Sequence, residues 1–180
     1  MNGAPAPSVA VTGATGFLGT NLVRRLLAEG TRVRALTRSP AKARALAEQG
    51  VEVIAGDITD ERAVSAVIDG ATVVYHLAGR LLVPGVDSGE YHRTHVEGTR
   101  LVLDHCRRSP RLQRLVHCST TGVLGVTGER PADERAPLCP TNVYEATKIG
   151  CSQTVRPPMG RNRPRRTARK NASRCRSPGP

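Results

Sequence analysis

Three glycines spaced three residues apart, Gly13, Gly16 and Gly19, place the strongest constraint on what this 180-residue chain can fold into. They follow a β-branched run at residues 9–12 and lead into an apolar stripe with helical spacing. Glycines in such a loop permit a tight strand-to-helix turn, a close approach of the backbone to a pyrophosphate, and close packing of helix on strand. The segment therefore predicts a dinucleotide-binding βαβ unit, with a purely structural glycine turn as the alternative.

The rest of the first 150 residues alternates between the same two hydrophobic periods, and the crossovers are long enough to join parallel strands. Continuous apolar strands separated by helices predict an α/β fold with a Rossmann-type doubly wound parallel sheet, covered on both faces. The strands are predicted at residues 9–12, 32–37, 51–55, 72–76 and 115–119. The helices are predicted at residues 18–27, 40–49, 63–68, 91–106 and from 144 onward.

The formal net charge of +12 is distributed unevenly along the chain. Residues 1–150 carry 18 basic and 15 acidic side chains, whereas residues 151–180 carry nine basic and no acidic ones. We therefore expect a globular domain over residues 1–150 and a basic, Pro/Arg-rich, disordered tail over residues 151–180. The tail lacks the interleaved aromatic residues typical of single-strand nucleic-acid binding, so a nucleic-acid partner is not favoured.

Composition also argues against several other classes of protein. The chain contains no run of 18 apolar residues, so the sequence predicts no membrane span. The first eight residues lack the basic region of a secretory signal, and five cysteines without a Cys-x-x-Cys spacing predict reduced thiols and no metal site. These features favour a cytoplasmic location.

Six segments, in this order, resemble the extended short-chain dehydrogenase/reductase superfamily, also called the NAD-dependent epimerase/dehydratase family. They are TGATGFLG at 12–19, GDI at 56–58, YHLAG at 75–79, HVEGT at 95–99, CSTTGVLG at 118–125 and YEATK at 144–148. The resemblance covers residues 8 to about 150. It implies an NAD(P)-dependent oxidoreductase that transfers a hydride at a carbon–oxygen centre of a small-molecule substrate. It also implies a homodimer formed through the helices near Tyr91 to Cys106 and near Tyr144.

The same resemblance implies a catalytic group at the end of the fifth strand and on the helix that follows. Tyr144 and Lys148 are four residues apart, so they share one helix face, and an ammonium beside a phenol stabilises the phenolate. Tyr144 is implied as the acid/base that exchanges the substrate proton, and Lys148 as the ligand of the nicotinamide ribose. Thr120 is implied as the hydroxyl that holds the substrate oxygen, with Ser119 as the second choice. His95 stands where the family usually has Asn.

The residues at the end of the second strand determine whether NAD(H) or NADP(H) is bound. Thr37 stands where NAD-binding members carry Asp, and the Arg38 guanidinium suits a 2′-phosphate, so the sequence favours NADP(H), with NAD(H) as the alternative. A solvated strand-end charge is the other interpretation of Arg38. The cofactor-binding residues implied by the resemblance are Gly13, Thr15, Gly16, Phe17, Leu18, Gly19, Arg38, Asp57, Ile58, Leu77, Ala78, Gly79, Tyr144 and Lys148.

Three functions follow from these segments. A reductase or dehydrogenase similar to the dihydroflavonol-reductase and hydroxysteroid-dehydrogenase branches is favoured, a nucleotide-sugar epimerase or dehydratase is second, and an inactive dinucleotide-binding fragment is third. The composition changes abruptly after about residue 150. We therefore expect a truncated or out-of-frame sequence that lacks the family's C-terminal strands and substrate domain, with a genuine basic tail or an unusual linker as alternatives.

Overall fold

Five parallel strands form the centre of the computed structural model, which describes residues 8–125, 131–133 and 135–155. The strands are β1 (Ser8–Thr12), β2 (Arg32–Thr37), β3 (Glu52–Ala55), β4 (Val73–His76) and β5 (Arg114–His117). Their order in the sheet is β3-β2-β1-β4-β5, and every pairing is parallel. Because β1 pairs with both β2 and β4, the direction of winding reverses at β1 and leaves a crevice at its carboxyl end.

Helices cover both faces of this sheet, which confirms the predicted doubly wound fold. They are α1 (Phe17–Ala28), α2 (Pro40–Ala47), α3 (Glu61–Ile68), α4 (Ser88–His92), α5 (Gly98–Arg108) and α6 (Val143–Val155). Val23 of α1 and Leu46 of α2 belong to the apolar cluster on one face, and Val67 of α3 and Val102 of α5 belong to the cluster on the other. Residues 9–12 of β1 are buried, as expected for a strand between two helical layers.

The long helix predicted over residues 91–106 has a π turn at Arg93–Glu97, which separates α4 from α5. The extra residue in such a turn changes which positions face inward. Tyr91 and His95 are both fully buried here, although His95 is polar. Apolar periodicity therefore located this helix but did not predict the π turn.

Helix α6 begins at a reciprocal cap. The Asn142 side-chain oxygen accepts the Glu145 N–H at 3.0 Å, and the Glu145 carboxylate accepts the Thr141 N–H at 2.6 Å. This arrangement fixes the first turn, which carries Tyr144. The helix crosses residue 150, where the sequence predicts the domain to end, and residues 156–180 of the predicted tail lie outside the described residues.

Within the described ranges, no helix is long and apolar enough to cross a membrane, and no group of three or more His, Cys, Asp or Glu side chains is placed to hold a metal ion. Cys106, Cys118 and Cys151 are free thiols, as predicted.

Candidate cofactor and catalytic site

A cavity of about 250 Å³ lies in the crevice at the carboxyl ends of β1, β2 and β4. Segments that are far apart in sequence meet here because parallel strands end at the same edge of a sheet. The predicted cofactor residues that line it are Gly13, Thr15, Gly16, Arg38, Asp57, Ile58, Leu77, Ala78 and Gly79.

The three glycines of the first loop do different things. Gly13 has a φ of +74°, and a Cβ there would lie 2.7 Å from the Ala78 backbone nitrogen. A Cβ on Gly19 would overlap the Gly13 carbonyl oxygen, so both glycines are required by the fold itself. Gly16 has an ordinary φ of −81°, and its Cβ would meet only the Gly13 oxygen, at 3.3 Å. The fold therefore tolerates a side chain at Gly16 better than at Gly13 or Gly19. Such a side chain would instead interfere with the binding of a ligand in the cavity.

The N-terminus of α1 suits an anion. Gly16 caps this helix without a side-chain hydrogen bond, and the first turn carries no acidic residue. In α3, by contrast, the Asp60 carboxylate accepts two backbone N–H groups of the first turn. Phe17 and Leu18 are 91% and 53% exposed and do not line the cavity, so they contribute backbone N–H groups rather than side chains. These unpaired donors and the dipole fit a dinucleotide pyrophosphate.

Basic and acidic side chains lie close together at the far end of the cavity. Arg38 Nε lies 3.7 Å from a carboxylate oxygen of Asp57, and both side chains are partly exposed, so the pair contributes little stability. The Thr37 hydroxyl is occupied by the turn, where it accepts the Ser39 N–H at 3.1 Å. Lys42, in the first turn of α2, lines the same cavity. Lys42 was not among the residues predicted from the sequence, although a basic residue in the first turn of the helix that Pro40 starts could have indicated it.

A buried hydrogen-bond network holds β1 and β4 together beneath the cavity. The His76 ring lies between the Thr12 hydroxyl, 2.8 Å from Nδ1, and the Thr99 hydroxyl, 2.9 Å from Nε2. The Thr12 oxygen also accepts the Ala78 N–H at 3.2 Å. Burial, with smaller contributions from His117 and Lys148, lowers the pKa of His76 to about 3. His76 is therefore neutral at physiological pH and stabilises the strand ends.

Lys148 does not line this cavity but lies next to Gly79, which does. It is 6% exposed, and its ammonium donates to the Cys118 carbonyl oxygen at 2.8 Å. A Cβ on Gly79 would lie 3.8 Å from Lys148 Nζ, so the ammonium is beside the cavity wall. Burial lowers the pKa of Lys148. Tyr144, one turn earlier, packs edge-on against His95 with ring centroids 5.5 Å apart, and its hydroxyl makes no hydrogen bond within the described part of the chain.

Ser119 and Thr120 lie beyond β5, whose last strand residue is His117, and line a second cavity of about 780 Å³. The Thr120 oxygen accepts the Gly122 N–H at 3.2 Å, which leaves its proton available. The Ser119 and Ser152 hydroxyl oxygens lie 3.0 Å apart, so these two hydroxyls pair with each other and either can be the donor, and the Ser152 hydroxyl also lies 3.1 Å from the Lys148 carbonyl oxygen. The apolar lining residues are Val123, Leu124, Ala132, Ala136, Leu138, Ile149 and Val155.

Comparisons with known proteins give the relatives of this chain. Residues 9–157 match the family model described as the NAD dependent epimerase/dehydratase family. Sterol demethylase protein B of Methylococcus capsulatus is 38% identical over 141 residues, which are 77% of this chain and 43% of the relative. The 4-hydroxy-2-methyl-3-oxo-4-farnesyl-3,4-dihydroquinoline-1-oxide ketoreductase of Stigmatella aurantiaca is 38% identical over 150 residues, which are 81% of this chain and 44% of that protein.

A solved structure is similar as well. A short-chain dehydrogenase/reductase superfamily protein from Agrobacterium tumefaciens, with bound NAD, is 30% identical with a TM-score of 0.73, covering 82% of this chain and 44% of its own. The chain thus spans less than half the length of each of these three relatives.

Proposed function

The chain belongs to the NAD dependent epimerase/dehydratase family, and from this we propose that it acts as an NAD(P)-dependent reductase or dehydrogenase at a carbon–oxygen centre. One observation carries the proposal: Lys148 is held beside Gly79 at the end of the crevice cavity, with Tyr144 one turn away on the same helix. When bound, the nicotinamide supplies or accepts the hydride.

The chain's own residues bind the cofactor and move the proton. The uncapped start of α1 binds the pyrophosphate through backbone N–H groups, and Lys148 binds the nicotinamide ribose. Tyr144 exchanges the proton of the substrate oxygen. Thr120 donates a hydrogen bond to that oxygen, because its proton is available, whereas the Ser119 hydroxyl is paired with the Ser152 hydroxyl at 3.0 Å. This difference favours Thr120 over Ser119 as the catalytic hydroxyl.

The second cavity favours a reductase or dehydrogenase of an apolar substrate over a nucleotide-sugar epimerase. Among its described lining residues, which include Thr120, there is no Lys or Arg to bind a diphosphate, and Leu124 and Leu138 add apolar surface. Two of the relatives are named for a sterol and for a farnesylated quinoline. An epimerase or dehydratase activity is the second candidate, because the description of the matching family names both epimerases and dehydratases.

The far end of the crevice supports a preference for NADP(H). Arg38 and Lys42 supply two cations, and Thr37 adds no carboxylate. Asp57 opposes this preference by pairing with Arg38. NAD(H) is the alternative, and NAD is the dinucleotide bound in the Agrobacterium tumefaciens relative.

The remaining expectations belong to the same proposal. The nucleotide-binding domain occupies residues 1–150, the basic tail follows, and the protein is cytoplasmic. A homodimer would form through α4 and α5, which span the region from Tyr91 to Cys106, and through α6, which carries Tyr144.

The decisive experiment separates binding from turnover. NADPH is titrated by its fluorescence, and its oxidation is then followed with apolar ketones, using the Tyr144→Phe variant as the control. We expect binding by both proteins and turnover lower by about 100-fold or more in the variant. If both proteins bind NADPH and neither oxidises it, the chain is an inactive dinucleotide-binding fragment. A fully active Tyr144→Phe variant would contradict the assignment of Tyr144.

A further inference from the structure

The His95 ring spans the space between two parts of the proposed site. It is 1% exposed and lies on the π turn between α4 and α5. Its Nε2 accepts the Arg80 N–H at 2.9 Å, and its Nδ1 lies 2.8 Å from the Thr147 hydroxyl oxygen. Arg80 and Gly79 belong to the loop that lines the crevice cavity, and Thr147 lies on α6.

The partners of His95 determine which ring nitrogen carries the proton. The Thr147 hydroxyl has one proton, which it donates to the helix carbonyl oxygens of Val143 and Tyr144 at 2.9 Å. Toward His95, the Thr147 oxygen must therefore accept, so Nδ1 carries the proton. Nε2 must be unprotonated, because it accepts the Arg80 N–H. Both ends of the ring thus require the same neutral tautomer.

The backbone and the ring face of His95 also contact α6. Its carbonyl oxygen accepts the Cys151 thiol at 3.0 Å, and the edge-on contact with Tyr144 places the two ring centroids 5.5 Å apart. Burial, together with the charge of Lys148, lowers the pKa of His95 to about 4, which is compatible with the neutral ring.

We infer that His95 is a positioning residue that couples the cavity loop at residues 77–80 to the helix bearing Tyr144 and Lys148. The inference rests on the proposed function, because the coupling is between the cofactor-binding loop and the catalytic helix. A dinucleotide that orders the loop through Gly79 would thereby also order the first turns of α6. His95 itself holds no substrate and exchanges no proton in the reaction.

Two conservative variants each keep one of the two ring hydrogen bonds. In His95→Asn, the amide nitrogen takes the place of Nδ1 and can still donate to Thr147 but does not reach Arg80. In His95→Gln, the amide oxygen takes the place of Nε2 and can still accept from Arg80 but not bond to Thr147. His92→Asn is the matched control, since His92 is exposed on the neighbouring α4.

Hydrogen exchange measured with and without NADPH reports the coupling without any turnover. In the parent chain and His92→Asn, NADPH should slow amide exchange both in residues 77–80 and in residues 143–148. In His95→Asn and His95→Gln, NADPH should still bind, but the slowing in residues 143–148 should shrink by about tenfold, the loss expected for one hydrogen bond. Full slowing of α6 in both variants would overturn the inference.

A second measurement uses the free chain and is independent of cofactor binding. The His95 ring should show the Nδ1–H tautomer in nitrogen NMR, and His95→Ala should speed exchange about tenfold both in residues 78–80 and in residues 143–148. The Nε2–H tautomer, or faster exchange in only one of the two segments, would overturn the positioning role. A parent chain that fails to bind NADPH but passes this test would refute the proposed function and leave the link itself in place.

Discussion

The Lys148 ammonium lies 2.8 Å from the Cys118 carbonyl oxygen, so the helix that carries Tyr144 is tied to the end of β5. A carbonyl satisfies one of the three ammonium donors, and burial lowers the Lys148 pKa because the charged form is poorly solvated there. The arrangement costs stability and holds the ammonium where the nicotinamide ribose is proposed to bind.

Replacing Lys148 with Met should therefore separate stability from binding. We expect the free energy of unfolding to stay within about 1 kcal/mol or rise, since the methionine stem fills the site without a buried charge. NADPH affinity should fall about tenfold, the loss of one charge-assisted hydrogen bond. Urea unfolding and NADPH titration check both. Unchanged affinity in a folded variant would argue against Lys148 as a cofactor ligand.

The hydroxyl assignments give a second prediction. Thr120→Val should lower turnover about 100-fold because the substrate oxygen loses its donor, and Thr120→Ser should restore most of it. Ser119→Ala should change turnover by less than about threefold, since the Ser119 hydroxyl is paired with Ser152 rather than with the substrate. Steady-state kinetics of the three variants decide the matter, and a larger loss in Ser119→Ala than in Thr120→Val would reverse the two roles.

Cofactor preference provides a third prediction. Arg38→Ala should remove about 1–3 kcal/mol of the preference for NADPH over NADH, while Asp57→Asn should strengthen it by freeing Arg38. Arg44→Ala is the matched control, because Arg44 lies on α2 and pairs with Glu48 outside the cavity. Parallel titrations with the two dinucleotides measure the ratio, and equal curves in the parent chain would refute the preference.

Three histidines, His76 and His117 at strand ends and His95 on the π turn, predict a pH dependence of stability. Burial lowers the pKa of His76 to about 3, and of His95 and His117 to about 4, from the ordinary 6.5. The folded chain keeps these rings neutral, whereas the unfolded chain protonates them below pH 6.5. Stability should therefore be complete above pH 6.5 and fall toward pH 4 by about 1.4 kcal/mol per pH unit for each ring.

His117 allows a direct check of this slope. Both of its ring nitrogens are buried without a hydrogen-bond partner among the described residues. His117→Phe should remove about one third of the slope between pH 4 and 6.5 and stabilise the fold at pH 5. Urea unfolding at several pH values measures this, and an unchanged slope would show that His117 does not titrate as described.

The sequence predicted the features that periodicity and spacing encode. The five strands and their parallel arrangement follow from apolar runs and crossover lengths, whereas Gly13, Asp57 and Gly79, which line one crevice, were implied as cofactor residues by the resemblance to the family. The π turn does not, because a pattern of apolar residues reports a buried face and not a one-residue change of register. The contact of His95 with Thr147 depends on that turn, so it could not be predicted from the sequence either.

Contacts between residues that are far apart in the chain also could not be predicted from the sequence. The position of Lys42 on the cavity wall depends on the angle at which α2 leaves β2. The hydrogen bond between Ser119 and Ser152 joins a strand end to the third turn of α6, and no local pattern predicts it. The resemblance had already implied Thr120 with Ser119 as the second choice, and the pairing of Ser119 with Ser152 adds a structural reason for that order.

The central claim, that the crevice beside the glycine loop binds a dinucleotide, is tested most directly by NADPH titration of Gly16→Ala against Gly30→Ala. Gly30 has a φ of +73° with no neighbouring atom within 4 Å of an added Cβ, so both changes should cost about 1 kcal/mol of stability. We predict that Gly16→Ala weakens NADPH binding about tenfold or more while Gly30→Ala binds like the parent chain. Equal affinity in both variants and the parent, or no binding by the folded parent chain, would contradict the claim.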